Sequence, residues 1–170
     1  MLIAILLNLI HCTTSPYLEA VKHYEGLYLA PYRCPAGVWT YGYGHTRGVT
    51  ADTPPLTKAE AHLLLLCDMT EAGADVLRLA GDALQDTDDL TAATNRFVAL
   101  TSWTFNLGAA NLASSTMLKR IREKRWEDAA EEMLRWNKAT VDGTKRVLPG
   151  LTKRRRSEAH FFLTGEVILF

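Results

Sequence analysis

The chain has 170 residues, 48% hydrophobic and 22% charged, with 19 lysines and arginines against 19 aspartates and glutamates. That length fits one compact domain, and that hydrophobic share excludes a disordered chain. Zero net charge argues against a general nucleic-acid binder, which carries a large basic excess.

The charge is uneven along the chain. Residues 82–89 hold four aspartates, while residues 145–156 hold Lys145, Arg146, Lys153, Arg154, Arg155 and Arg156. The basic run reads either as a solvated helix face or as a patch for an anionic polymer. Three cysteines, Cys12, Cys34 and Cys67, with no CxxC pair, support neither a disulfide framework nor a structural zinc site. Nothing in the pattern calls for a cofactor or a metal.

In chain order, residues 2–10 form an apolar run about half the ~20 residues that a bilayer span needs. It lacks the basic n-region and cleavage site of a signal peptide. Residues 1–14 are therefore read as a buried N-terminal element, with a degenerate export or membrane-arrest segment as the alternative. Residues 15–170 are read as a single domain, expected to be monomeric. Ser15-Pro16 looks like a cap and first-turn proline, and Leu18, Val21 and Tyr24 recur at helical spacing. That helix delivers Glu25 just before Gly26. Residues 27–50 mix Tyr, Val, Trp and Thr with Gly37, Gly42, Gly44 and Gly48, the pattern of short strands and tight turns. Thr57 and Glu60 form a capping box with Leu56 before it, opening a helix expected to run to about Leu79. From Leu90 the chain reads as wholly helical, with segments at about 91–106, 115–124, 126–137 and 151–163 and a loop at 140–150. A small β-containing lobe, a long connecting helix and a larger helical lobe follow, with a cleft between the lobes as the ligand site.

On composition alone Glu25 is a helix-end charge and names no enzyme. Its aromatic and apolar surroundings suit a carboxyl held protonated as a general acid. The residues around it carry a more specific signal. Glu25, eight residues, Cys34, five residues and Thr40, followed by Gly42-Tyr43-Gly44-His45-Thr46, resemble the active-site motif of phage-type lysozymes, the endolysins of glycoside hydrolase family 24. The likeness continues through Phe105-Asn106-Leu107-Gly108, Ser115-Thr116-Met117-Leu118, Arg135-Trp136-Asn137-Lys138 and Leu148-Pro149-Gly150-Leu151 with Arg154-Arg155-Arg156, covering roughly residues 15–165. In that family the middle position is more often aspartate, so Cys34 is the departure.

The resemblance implies an α+β, lysozyme-like fold. It also implies hydrolysis of the β-1,4 bond between N-acetylmuramic acid and N-acetylglucosamine in peptidoglycan, with inversion. Glu25 would be the acid, Thr40 would position water, and Cys34 would be a thiolate base, a nucleophile or a water-orienting group. Asn106, Arg154 and Trp136 are the expected substrate-side residues, with Arg154 also placed to orient Glu25. Such an enzyme is made in the host cytoplasm and acts on the cell wall at lysis. Two other readings stay open: a catalytically silent peptidoglycan binder, and a lytic transglycosylase, which needs one glutamate and no second carboxylate. Some relatives with an uncleaved membrane-arrest segment cage the catalytic cysteine in a disulfide. Here the partner of Cys34 would be Cys12 or Cys67, although Cys67 falls in a helix expected to bury it.

Overall fold

Helix α1, Tyr17–Glu25, buries Tyr17, Leu18, Ala20 and Val21 and stops at Gly26, whose positive φ of 70° turns the chain while its N–H bonds the Lys22 carbonyl. The computed structural model describes residues 16–34, 37–86, 88–141 and 143–170, so the cap expected at Ser15 and the apolar run at 1–14 lie outside the described residues. Strands β1, Tyr28–Arg33, and β2, Trp39–Gly42, pair antiparallel with Tyr32 opposite Thr40 and Arg33 opposite Trp39. The register shifts between Tyr28 and Tyr32, where Pro31 has no N–H to give the ladder. Beyond β2, a backbone bridge between Tyr41 and His45 closes a turn through Gly44.

Helix α2, Lys58–Gln85, opens on the expected capping box. Thr57 Oγ1 accepts from the Glu60 N–H at 3.2 Å, and Glu60 Oε2 accepts from the Thr57 N–H at 2.7 Å. At 1.5 Å per residue its 28 residues reach about 42 Å, enough to join two lobes. It runs past Leu79 because Ala61, Leu65, Met69, Ala72, Val76, Ala80 and Leu84 keep one apolar stripe facing the core. Helix α3, Leu90–Leu107, is buried continuously from Phe97 to Thr104 and forms the centre of the helical lobe. It ends at Gly108, and the short α4, Ala109–Ser114, fills a stretch that the sequence reading left as a break. Ser115 Oγ caps α5, Thr116–Arg122, by accepting from the Leu118 N–H at 3.0 Å. Helix α6, Trp126–Leu134, follows. Helix α7, Pro149–Thr164, begins with proline in its first turn and packs on α3 and α6.

The expectation of a wholly helical second half is corrected at residues 138–147. There β3, Lys138–Val141, and β4, Thr144–Val147, form an antiparallel hairpin. The signal was present in the sequence: Asp142-Gly143 stands between β-branched residues, the strongest short-range hairpin pattern. The architecture is still α+β, with a small β lobe between α1 and α2, a larger helical lobe, and a cleft of about 250 Å³ between them. Turn residues Gly44 and Arg47, Asp68 and Glu71 of α2, and Thr104 and Gly108 of the opposite lobe line that cleft.

Candidate active site

Glu25 stands at the last position of α1 with a side chain 16% exposed. Arg154 Nη1 donates to Glu25 Oε1 in a direct ion pair. The second oxygen, Oε2, lies against the Gly44 backbone, where an added Cβ would come within 3.1 Å of it at a φ of +94°. Both facts select glycine at this position, since a side chain would be strained by the backbone and crowded by the carboxylate. Gly44 also lines the cleft, so it joins Glu25 to the ligand space.

Arg154 is 3% exposed. Its Nε donates to Glu158 Oε1 at 3.1 Å and its Nη2 to the Ser102 carbonyl at 3.4 Å, which fixes the guanidinium beneath Glu25. Burial pulls the arginine toward neutrality, but the carboxylates of Glu25 and Glu158 outweigh it and hold the guanidinium charged. Of the two expectations for Arg154, contact with Glu25 is the one the structure displays, with the residue 3% exposed. The reading of residues 145–156 as a solvated face or polymer patch is corrected, since Arg154 and Arg155 are core residues and only Lys145, Arg146, Lys153 and Arg156 of the run are exposed.

Cys34 directly follows β1 and is half-buried. Its N–H donates to the Val38 carbonyl at 3.0 Å, and its own carbonyl accepts from the Gly37 N–H at 2.8 Å. Thr40 Oγ1 donates to the same Val38 carbonyl at 3.1 Å. One carbonyl therefore ties Cys34 and Thr40 together. Thr40 is 4% exposed, and with its proton given to Val38 its hydroxyl keeps only acceptor capacity. Burial first, then Tyr28, Cys34 and Glu25, hold the Tyr32 phenol above the usual range.

Asn106 is half-buried, and its Oδ1 accepts from Arg155 Nη2 at 3.0 Å, which ties it to the ion network of α7. Trp136 packs edge-on against the fully buried Trp103, with ring centroids 5.0 Å apart. Trp126 lies under the Arg96 guanidinium at 4.0 Å and Trp39 under that of Arg33 at 5.3 Å. The expectation that Cys67 is buried is corrected: it is exposed on α2 and carries a free thiol, so no Cys34–Cys67 bridge forms. Cys12 lies outside the described residues.

Sequence reasoning missed Tyr32 and Glu158. Glu158 was legible as a carboxylate three and four residues after Arg155 and Arg154, the spacing of helical ion pairs. His45 Nδ1 lies 2.8 Å from Asp68 Oδ2 and Nε2 lies 2.9 Å from the Arg47 carbonyl, which clamps the Gly44 turn to α2.

A small β lobe set on a larger helical lobe, with a carboxylate at their junction, places the chain in the class of lysozyme-type glycoside hydrolases. Among solved structures it is similar to the muramidase domain of SpmX from Asticaccaulis excentricus, at 33% identity and a TM-score of 0.76, covering 89% of this chain and 97% of that one. It is 34% identical to the endolysin of Acyrthosiphon pisum secondary endosymbiont phage 1, over 85% of this chain and 93% of that protein. It is 32% identical to the SAR-endolysin of Enterobacteria phage PA-2, over 84% and 79% respectively. The family model for phage lysozyme matches residues 22–158, and the chain belongs to that family.

Proposed function

We propose that this peptidoglycan-cleaving lysozyme acts through Glu25 as general acid on the β-1,4 bond between N-acetylmuramic acid and N-acetylglucosamine. The observation that carries the reading is the placement of Glu25: one oxygen is pinned by a buried arginine, and the other lies against Gly44 at the cleft. In that pose the carboxyl hands its proton to the departing glycosidic oxygen. A water attacks the anomeric carbon from the opposite ring face and releases its proton to surrounding solvent, which also reprotonates Glu25 for the next turnover. Cys34 and Thr40, tied to one carbonyl, are the groups that hold that water. An ordinary thiol, with a pKa of about 8.5, is only a few per cent ionised near neutrality, so orienting the water suits Cys34 better than a full base role. Asn106 and Trp136 border the same lobe and supply glycan contacts. The enzyme works as a monomer formed by residues 15–170. Synthesis in the host cytoplasm and action on the wall at lysis complete the reading. Among the described residues no helix is long and apolar enough to cross a membrane.

Digestion of purified peptidoglycan tests this. Reducing ends released by wild type and lost in Glu25→Gln are the expected result. Anhydromuramic ends would indicate a lytic transglycosylase, and binding without cleavage a silent descendant.

A further inference from the structure

The middle of α7 buries more charge than holding Glu25 requires. Arg155 and Glu158 are both 0% exposed, and Glu158 sits between two guanidiniums. Its Oε1 accepts from Arg154 Nε at 3.1 Å, from Arg155 Nη2 at 3.1 Å and from Ser102 Oγ at 2.8 Å. Arg155 Nε lies 2.8 Å from Oε2, but off the hydrogen-bonding direction, so that contact is an ion pair without a hydrogen bond.

We propose that Glu158 is a positioning residue that sets the proton affinity of Glu25 by neutralising the second buried guanidinium. The inference rests on the reading of Glu25 as the acid. With Glu25 ionised, the group formed by Glu25, Arg154, Arg155 and Glu158 is neutral; with Glu25 protonated it carries one positive charge. Without Glu158 the same two states carry one and two positive charges. Protonating Glu25 would then leave two buried cations with no buried anion, an arrangement that desolvation makes costly. The carboxylate form is favoured instead, and the acid surrenders its proton at lower pH.

The other groups packed around the cluster do not replace Glu158. From α1, Tyr17 faces Glu158 and both arginines, and burial, then Glu158, push its phenol far above the ordinary range, which keeps it neutral. The Tyr24 ring lies 6.0 Å from the Arg154 guanidinium, and its hydroxyl is bonded to Ser157 Oγ at 2.5 Å. From α3 come Ser102 and Asn106, both uncharged. From the β lobe, Tyr32 is held protonated by burial and its neighbours.

The test is a ¹³C-carboxyl NMR titration of Glu25 beside the pH profile of kcat/KM on purified peptidoglycan. Glu158→Gln keeps an acceptor for Ser102 and Arg154 while removing the charge. The Glu25 carboxyl is expected to titrate about one pH unit lower, the size of effect one nearby charge produces. The alkaline limb should move with it, because the acid must be protonated to act. Arg155→Met removes a cation and should shift both upward, and the double variant should return close to wild type. No shift in either single variant, or shifts of the same sign, overturns the proposal. If Glu158→Gln does not fold, the Arg155→Met arm decides: an upward shift supports it, and none or a downward one overturns it. The titration needs no substrate, so the expected shifts in a protein that never cleaves peptidoglycan would retain the charge coupling and remove the acid role.

Discussion

The helical wall that carries Glu25 and the β wall that carries Cys34 and Thr40 are built in opposite ways. Behind Glu25 stand two arginines and a second carboxylate, all almost fully buried, with Ser102 of α3 bonded into the cluster. Behind Cys34 and Thr40 stands a two-stranded sheet, its register broken before Tyr32 and both residues hung from one backbone carbonyl. Charge on the first wall has to be exact in number, because each unpaired buried ion is expensive. The second wall uses neutral groups at a turn, so its residue types can change without leaving a charge stranded. Cys34, the position where the resemblance leads one to expect aspartate more often, falls on the wall where that tolerance is expected.

The contrast breaks most sharply at Glu25. Glu25→Gln should lower turnover at least ~100-fold, the usual contribution of a general acid, while leaving the thermal midpoint nearly unchanged. Residual activity above a few per cent in a folded variant would remove the acid role. Arg154→Met should do what Glu25→Gln does not and lower stability. It strands Glu158 and Glu25 beside a single remaining guanidinium, a loss of about 3–5 kcal/mol by analogy with broken buried pairs. Calorimetry should show a fall in Tm of roughly 10 °C for a chain of this size. A loss of less than about 2 °C would mean that the network is not what holds this wall.

On the β wall the expected effects are smaller and chemical. Cys34→Asp should keep or raise lytic activity, Cys34→Ala should lose roughly tenfold, and neither should move Tm as far as Arg154→Met does. Equal activity in all three forms would reduce Cys34 to packing. The smallest effect belongs to the start of α2, where the Leu56 N–H bonds the Leu29 carbonyl of β1. Thr57→Ala removes one half of the capping box of α2 and should lower Tm by roughly 2–4 °C with activity intact. A larger loss of activity than of stability would show that the start of α2 helps to set the cleft.

Local sequence determined the parts of this protein whose physics is local. The capping box at Thr57 and Glu60, the serine cap at Ser115, and the stops at Gly26 and Gly108 are interactions between residues within four positions of each other. The spacing from Glu25 to Cys34 to Thr40 survives into space because a helix end and a short hairpin translate sequence distance directly into geometry. The hairpin at 138–147 was legible too, but its Asp-Gly signal was outweighed by the helical segments on either side. What the tertiary structure decided is which charges lie inside. Nothing in a run of four basic residues from Lys153 to Arg156 separates the two that are buried from the two that face water; that depends on where α3 brings Ser102 and where α1 delivers Glu25. Arg154 and Glu25 are 129 positions apart, and only the packing of α7 against the end of α1 makes them partners. Burial turns an ordinary helical arginine–glutamate spacing into a device that acts on a distant carboxyl, because low dielectric makes charge number count where water would screen it.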